Sequence, residues 1–133
     1  ERISYVYETD AWGKNSKIHF LNICLIIDFQ LSPYQLLKLL NNIESKMGRK
    51  RLEKYDPRPI DIDIILADDL IFSDKELEIP HPRMQDRRFV LVPASEIGPD
   101  WKHPISGKSI SQLLSGCSDD LTVELKSPLF NAE

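Results

Sequence analysis

Long hydrophobic runs, cysteines at metal-ligand spacing and an excess of positive charge are all absent from this sequence. Its longest apolar stretches, such as residues 23–27, are far too short to cross a bilayer. Cys24 and Cys117 are its two cysteines, and we expect both to be free thiols in a reducing compartment. The net charge of −4 argues against a protein that coats nucleic acid along its whole surface.

Glycine-rich phosphate loops are absent as well. The five glycines form no GxGxxG pattern, and a Walker-type loop ending at Gly107-Lys108-Ser109 would need a glycine where Lys102 stands. The His/Cys spacings that are typical of zinc sites are also missing. Any nucleotide site in this chain therefore has to use side chains instead of a glycine-rich backbone cradle.

The length and composition are those of one folded domain, which we assign to residues 1–133. The sequence is 41% hydrophobic and 29% charged, and a chain of this size can bury a core without disulfides or metals. No internal repeat or Gly/Ser linker divides it. No basic-then-apolar leader opens the sequence, so we expect a cytoplasmic protein that does not bind membranes.

Three helices are predicted from capping residues and apolar spacing. Ser32 to Gln35 supplies an N-cap serine, a proline at the first helical position and a capping-box glutamine. The apolar stripe that follows predicts a helix over residues 33–47, which ends at Gly48. A second helix is expected at about residues 86–92, ended or interrupted by Pro93. A second capping box, at residues 109–112, predicts the third.

Strand segments are predicted from alternation and from β-branched runs. They are residues 3–8, a largely buried strand over 18–29, a run at 60–66, and short strands at 70–72 and 77–79. The strands alternate irregularly with few helices. This pattern predicts an α+β fold in which helices pack on a mostly antiparallel sheet.

A basic loop follows the first predicted helix. Residues 49–58 contain five positive and two negative side chains, in a chain whose total charge is −4. Three of the cations are arginines, whose planar forks suit phosphate oxygens. The alternative is a solvated loop after a helix C-terminus, where positive charge is favourable in any case. The positive residues are Arg49, Lys50, Arg51, Lys54 and Arg58.

Two aspartates, Asp61 and Asp63, flank Ile62 in the β-branched run that comes next. Side chains alternate along a strand, so both carboxylates would point to one face, about 7 Å apart. Carboxylates in this arrangement can hold Mg²⁺ against the phosphates of a substrate. The alternative is a polar strand face in water, but aspartate is disfavoured in strands. The adjacent cations and carboxylates together favour nucleotide phosphoryl chemistry.

Other polar and aromatic residues are candidates for ligand contacts. His81 lies between two prolines, where a structural turn is the alternative to a catalytic role. Asn22 lies in an apolar strand, where it either satisfies backbone groups or binds a ligand. Four aromatic residues in or beside polar segments could stack on a heterocycle instead of packing in the core: Trp12, Phe20, Tyr55 and Phe89.

In combination, these motifs resemble the 6-hydroxymethyl-7,8-dihydropterin pyrophosphokinase family of folate biosynthesis. The resemblance covers most of the chain, up to about residues 103–104, and thins toward the C-terminus. Its most specific part is Arg58-x-Ile60-Asp61-x-Asp63 with a downstream Pro80-His81-Pro82. The other matching segments are Tyr7-Glu8-Thr9, Phe20-Leu21-Asn22, Ile43-Glu44, Gly48-Arg49-Lys50-Arg51 and Arg87-Arg88-Phe89-Val90-Leu91.

The resemblance implies a ferredoxin-like α+β fold and an enzyme that transfers pyrophosphate from ATP to the hydroxymethyl group of the pterin, releasing AMP. It implies Mg²⁺ as cofactor, as two ions bound with ATP. It implies ATP and a reduced pterin as substrates of a cytoplasmic monomer, and leaves an association with other folate-pathway enzymes open. Such transfer depends mainly on positioning and charge neutralisation, so a dedicated base is not required.

The resemblance also assigns roles to individual residues. The catalytic set is Arg49, Arg58, Asp61 and Asp63, of which Asp61 and Asp63 match the two metal ligands. The ATP-binding positions are Glu44, Arg49, Arg51, Arg58, Ile64, Leu77, His81 and Arg87. The pterin-binding positions are Thr9, Phe20, Asn22, Tyr55 and Phe89, with the two phenylalanines on either side of the ring.

Three departures from the family pattern concern the pterin wall and the start of the chain. Asp10-Ala11 stands where the family has two prolines, and Tyr55 stands where a tryptophan is frequent. Family members also begin with a strand, a Gly-Ser-Asn turn and a helix, on the order of thirty residues that this sequence lacks. We expect that this sequence omits the segment; a segment supplied from elsewhere and an impaired fragment are the alternatives.

Two other functions fit part of the same pattern. A non-catalytic domain that binds a pterin, a nucleotide or a partner would explain the missing start, but it would not need paired metal carboxylates. RNA binding on a ferredoxin-like sheet fits less well, because the basic residues are on a loop and no RNP-like aromatic run is present.

Overall fold

The computed structural model describes residues 1–10, 19–49 and 60–129. The chain forms two compact units. One unit comprises Glu1–Asp28 with Pro82–Glu133, and the other comprises Phe29–His81. The assignment of residues 1–133 to one domain stays a prediction.

Short strands and three helices make up the described fold. The strands are β1 (Arg2–Ile3), β2 (Val6–Asp10), β3 (His19–Asn22), β4 (Leu25–Ile26), β5 (Phe72–Ser73), β6 (Glu78–Ile79) and β7 (Val123–Ser127). The α-helices are α1 (Pro33–Glu44), α2 (Arg88–Ile97) and α3 (Ile110–Ser115), with a π-helical turn at Ser45–Arg49 and a 3-10 turn at Met84–Asp86. Every strand pairing among the described residues is antiparallel, which confirms the predicted α+β class.

The first unit is built around helix α2. Strands β3, β2 and β7 pair in that order, β1 pairs with β4, and α2 contacts β2, β3, β4, β7 and α3. The buried apolar core of this unit consists of Tyr7, Met84, Leu91, Ala94, Ile97, Ile110 and Leu113. Removing such side chains from water supplies about 1.5–3 kcal/mol each, which makes this the main source of the unit's stability.

One carboxylate at the end of α2 anchors the first strands. Glu96 accepts the Tyr7 hydroxyl at 2.7 Å and the backbone N–H of Tyr5 at 3.0 Å. A guanidinium N–H of Arg2 donates to the Ile97 carbonyl at 2.8 Å. Burial and the hydrogen bond to Glu96 together raise the pKa of Tyr7 to about 12, so its hydroxyl stays protonated and keeps donating.

The second unit consists of α1 and the β5–β6 hairpin. The Ser32 hydroxyl accepts the Gln35 N–H at 3.2 Å, and the Gln35 side chain accepts the Ser32 N–H at 2.9 Å, as the predicted capping box requires. The α-helix ends at Glu44, and the turn that follows leaves helical backbone angles at Met47 and at Gly48, whose φ of 99° favours glycine. The rings of Tyr34 and Phe72 meet edge to face, with centroids 5.3 Å apart.

Several local predictions are confirmed. Helix α1 begins where expected, and the second capping box starts α3. The two short strands predicted at residues 70–72 and 77–79 are present as the β5–β6 hairpin, at Phe72–Ser73 and Glu78–Ile79. Helix α2 continues to Ile97, so the prediction that Pro93 ends or interrupts it is wrong. Proline removes one backbone donor, and the buried residues on both sides of Pro93 stabilise the helix across that gap.

Three strand predictions differ from the structure. The strand predicted over residues 3–8 is divided into β1 and β2 by a break at Ser4 and Tyr5, and residues 60–66 carry no strand pairing. The segment over 18–29 was predicted to be largely buried, but Leu21, Ile23 and Leu25 are 66%, 41% and 51% exposed. Only alternate side chains of an extended segment can face α2, and no described element covers the others. Strand β7 was not predicted.

No helix in the described ranges is long and apolar enough to cross a membrane.

A histidine closes the turn that leads into α3. The side chain of His103 is buried, and its Nδ1 atom accepts the N–H groups of Ile105 and Ser106, each at 3.2 Å. Its backbone N–H donates to the Lys108 carbonyl at 2.8 Å. Gly107 lies in the same turn with φ of 74°, a conformation that favours glycine. Burial lowers the pKa of His103, because the charged imidazolium is poorly solvated there.

Because burial lowers the pKa of His103, we expect the stability of the protein to depend on pH. The folded state favours neutral His103, so its contribution is complete above the ordinary pKa of 6.5 and is lost as pH falls through the lower folded-state pKa. In His103→Asn, the amide oxygen can accept the same two N–H groups without titrating. We expect the free energy of unfolding to fall more steeply from pH 7.5 to pH 5 in the wild type than in this variant, measured by urea denaturation. Parallel curves would contradict the assignment.

Candidate active site

The predicted metal-binding carboxylates lie on an extended segment of the second unit, residues 60–67. Asp61 and Asp63 are exposed, whereas Ile62 and Ile64 between and after them are half-buried. This alternation of exposure agrees with both carboxylates lying on one side of the backbone, although the segment forms no strand pairing. Two acidic side chains are thus presented together to solvent.

A buried carboxylate from helix α1 holds this segment. Glu44, at the last position of α1, is 4% exposed, and its Oε2 atom accepts the backbone N–H of Ile62 at 2.6 Å. A hydrogen bond to a charged acceptor is stronger than one between neutral groups. Because Ile62 lies directly between Asp61 and Asp63, Glu44 fixes the backbone that carries both side chains.

The segment is also tied to the strand that leads to the predicted nucleotide histidine. The backbone N–H of half-buried His81 donates to the Ile65 carbonyl at 2.9 Å. Leu77 is buried at the turn of the β5–β6 hairpin, where the Asp74 carboxylate accepts its N–H at 3.1 Å. The segment that carries both aspartates is therefore held at two points: Glu44 binds the Ile62 N–H, and the His81 N–H binds the Ile65 carbonyl.

The donor set of this segment suits magnesium. Among the described residues, no group of three or more His, Cys, Asp or Glu side chains could by itself enclose a metal ion. Magnesium is usually held by one or two carboxylates together with water and substrate phosphates. Asp61 and Asp63 are two exposed carboxylates, so their chemistry fits a magnesium ion that binds together with the phosphates of a nucleotide.

The predicted pterin residues of the first unit lie on strands β2 and β3. Thr9 is buried and pairs in register with Phe20, whose side chain is 54% exposed. The Asn22 amide donates to the Thr9 hydroxyl at 3.1 Å. This bond fixes the Asn22 side chain and places a polar pair beside an exposed aromatic ring, an arrangement that can both hydrogen-bond and stack a heterocycle.

Phe89 and Arg87 lie at the start of helix α2, which contacts β3. Both side chains are half-buried, and the guanidinium carbon of Arg87 is 5.7 Å from the centroid of the Phe89 ring. A guanidinium within about 6 Å of a ring centroid interacts favourably with the aromatic face. The pair therefore presents a cation and a ring together in the first unit.

The remaining predicted site residues lie outside what the structure describes. Arg51, Tyr55 and Arg58 fall between the described ranges, and for Arg49 only the backbone, in the π-helical turn, is described. Their assignments to ATP, pterin and catalysis stay predictions.

Cys24 is poorly suited to act as a nucleophile. Both cysteines are free thiols, as predicted, and burial raises the pKa of Cys24 to about 11. Its thiolate is therefore scarce at neutral pH, and the Cys24 N–H donates to the Ser4 hydroxyl in a structural contact.

The sequence does not predict the hydrogen bonds that two carboxylates, Glu44 and Glu96, accept from distant residues. The hydrogen bond from Ile62 to Glu44 spans 18 residues, and the bonds from Tyr5 and Tyr7 to Glu96 span about ninety. Glu44 was predicted to line the nucleotide pocket, not to hold the aspartate segment. An acidic residue in the last turn of a helix is an available clue, because it is unfavourable to the helix dipole and needs a partner elsewhere.

Known proteins match this chain over most of its length. The family model described as 7,8-dihydro-6-hydroxymethylpterin-pyrophosphokinase (HPPK) matches residues 1–99. A 2-amino-4-hydroxy-6-hydroxymethyldihydropteridine pyrophosphokinase of Synechocystis is 47% identical over 114 residues, which is 86% of this chain and 58% of that protein. The protein of the same name from Aquifex aeolicus is 41% identical over 112 residues, covering 84% of this chain and 70% of that protein.

A longer relative also matches. A folic acid synthesis protein of Dictyostelium discoideum is 42% identical over 101 residues, which is 76% of this chain but 15% of that protein. The chain thus spans a little under three fifths of the Synechocystis protein and a small part of the Dictyostelium one.

Proposed function

The chain belongs to the 7,8-dihydro-6-hydroxymethylpterin-pyrophosphokinase family, and on this premise we propose that it transfers pyrophosphate from ATP to 6-hydroxymethyl-7,8-dihydropterin in folate biosynthesis. The observation that carries the proposal is the aspartate segment held by Glu44: two exposed carboxylates at the position that the resemblance assigns to metal-bound ATP. The predicted ATP residues of the described chain are Glu44, Asp61, Asp63, Ile64, Leu77 and His81 in the second unit, and Arg87 in the first.

The proposed reaction is a single displacement at the β-phosphorus of ATP. The hydroxyl oxygen of the pterin forms a bond to that phosphorus, and the bond from the phosphorus to the oxygen bridging the α- and β-phosphates breaks. The bridging oxygen leaves with AMP, and the hydroxyl proton is released to the surrounding water. The products are AMP and the pterin diphosphate, so no oxidant or further reactant is needed.

The described residues supply binding and charge. Asp61 and Asp63 would hold Mg²⁺, which when bound neutralises phosphate charge and polarises the phosphoryl oxygens. His81 and Leu77 would contact the nucleotide. Thr9, Asn22, Phe20 and Phe89 would bind the pterin, the two polar groups by hydrogen bonds and the rings by stacking.

Three further properties belong to the same proposal. We place the protein in the cytoplasm, where its two free thiols remain reduced. We expect it to act as a monomer without nucleic acid. We leave open a contact with other folate-pathway enzymes, in line with the matching relative named folic acid synthesis protein.

Product analysis tests this function. The protein is mixed with ATP, Mg²⁺ and the reduced hydroxymethylpterin, and nucleotides are separated by chromatography. We expect AMP only when both the pterin and Mg²⁺ are present. ADP in place of AMP would contradict the pyrophosphoryl transfer, and pterin binding without any product would favour a non-catalytic binding domain. Reactions with EDTA, or with a pterin that lacks the hydroxymethyl group, serve as controls.

A further inference from the structure

Helix α2 begins at a residue that cannot cap it. The N-cap position is Arg87, which makes no side-chain cap hydrogen bond. A guanidinium carries donors and no acceptor, so it cannot pair with the free N–H groups of the first helical turn. Serine, threonine, aspartate and asparagine are preferred at this position because their oxygens do so.

The missing acceptor comes from a different part of the first unit. Asp119, in the segment after α3, accepts the backbone N–H of Arg88 with its Oδ2 atom at 2.9 Å. Its other oxygen, Oδ1, accepts the N–H of Leu121 at 3.0 Å. One half-buried carboxylate therefore links the start of α2 to a segment 31 residues later in the chain. A negative charge at this helix end is also favoured by the helix dipole.

The hydrogen bond from Arg88 to Asp119 lies between two candidate ligand residues, Arg87 and Phe89, at the start of α2. Arg88 is the neighbour of both Arg87 and Phe89, and the Arg87 carbonyl accepts the N–H groups of Val90 and Leu91 at 3.0 and 3.1 Å. The backbone that carries the Arg87 guanidinium and the Phe89 ring is thus held on both sides, by the helix through the Arg87 carbonyl and by Asp119 through the Arg88 N–H.

We propose that Asp119 is a positioning residue, which holds Arg87 and Phe89 for substrate binding by capping α2 from outside the helix. This inference rests on the proposed function. An external cap leaves the N-cap position free for an arginine, whose guanidinium can then serve a ligand instead of the helix. Asp119 lies beyond residues 1–99, so the family match does not include it.

Three variants of the full chain test the proposal. Asp119→Ala removes the acceptor, Asp119→Asn keeps a neutral acceptor of similar shape, and Asp120→Ala changes the exposed neighbour as a matched control. We expect Asp119→Ala to weaken binding of the reduced pterin, measured by calorimetry without nucleotide, about fivefold, the effect of losing a typical cap. Asp119→Asn has one acceptor oxygen in place of two, so it keeps the bond from the Arg88 N–H only by giving up the bond from the Leu121 N–H. Because the cap of α2 itself is retained, its pterin affinity should stay within about twofold of the wild type. Asp120→Ala should not differ from the wild type.

Amide hydrogen exchange separates positioning from general stability. In Asp119→Ala, exchange should accelerate about fivefold at Arg88 and Phe89, while buried amides such as that of Leu113 stay at the wild-type rate. Faster exchange throughout the first unit would overturn the proposal in favour of a purely structural role. Unchanged pterin affinity in Asp119→Ala would overturn it as well.

The same experiment distinguishes a failure of the proposed pyrophosphokinase activity from a failure of the positioning role of Asp119. Wild-type protein that binds the pterin but forms no AMP would refute the pyrophosphokinase activity, and the positioning role would still be decided by affinity and exchange in the three variants. Wild-type protein that binds the pterin neither alone nor together with Mg²⁺ and a non-hydrolysable ATP analogue would overturn both proposals.

Discussion

Replacing Asp63 by alanine is expected to lower Mg²⁺-dependent AMP formation at least about a thousandfold, because a metal at the transferring phosphates supplies several kcal/mol of charge stabilisation. The side chain is exposed, so the free energy of unfolding should change by no more than about 0.5 kcal/mol. The measurements are AMP release by chromatography and urea denaturation of the same preparation.

A second readout tests the metal role without turnover. Calorimetric titration with ATP, at several Mg²⁺ concentrations, should show a strong dependence of affinity on Mg²⁺ in the wild type and a much weaker one in Asp63→Ala. Asp69→Ala is the matched control, since Asp69 is also exposed and follows the same segment. Full turnover in Asp63→Ala, or an equal loss in Asp69→Ala, would contradict the assignment of a metal ligand.

Replacing Glu44 by leucine is expected to have the second-largest effect, although this residue is buried and adjoins neither aspartate in sequence. Leucine fills a similar volume but offers no acceptor, so the Ile62 N–H loses its 2.6 Å partner. An unsatisfied backbone group costs about 1–3 kcal/mol of stability. Misplacement of the carboxylates by about 1 Å can lower the rate about a hundredfold. Denaturation and kcat/KM for ATP measure the two effects.

The glutamine variant decides whether Glu44 acts as an acceptor. Glu44→Gln can still accept the Ile62 N–H, so it should retain most of the stability and lose less than about tenfold in kcat/KM. Glu78→Ala, which removes an exposed carboxylate of β6, controls for a general loss of negative charge. If glutamine were as damaging as leucine, the charge of Glu44 and not its hydrogen bond to Ile62 would be what the site requires.

Short-range hydrogen bonds explain why the helix starts could be predicted. Ser32 with Gln35, and Ser109 with Gln112, form reciprocal bonds between residues three positions apart, and both boxes are present in the structure. Alternation likewise predicted that Asp61 and Asp63 share a side, because this follows from the geometry of any extended backbone. These features depend on neighbours in the chain and on little else.

Features that depend on tertiary packing were predicted poorly. The apolar content of residues 18–29 predicts a largely buried strand, but Leu21 and Ile23 are exposed, because apolar composition does not specify which faces other elements cover. Pro93 is tolerated within α2 because Leu91, Ala94 and Ile97 are buried around it. A residue's local preference is worth about a kilocalorie per mole, or about three for proline, and burial of several side chains exceeds this.

The sequence by itself determined the two capping boxes and the alternation of Asp61 and Asp63 with isoleucines, because each rests on residues within a few positions of one another. It also determined the family, because residue types and their order along the chain can be compared without knowing which residues meet in space. The tertiary structure alone decided which groups hold the candidate site in place. Glu44 accepts from Ile62 across 18 residues and Asp119 from Arg88 across 31, and neither pairing leaves a periodic or local pattern in the sequence. A long-range hydrogen bond forms only where folding brings donor and acceptor together, so its partners become visible only in the folded chain.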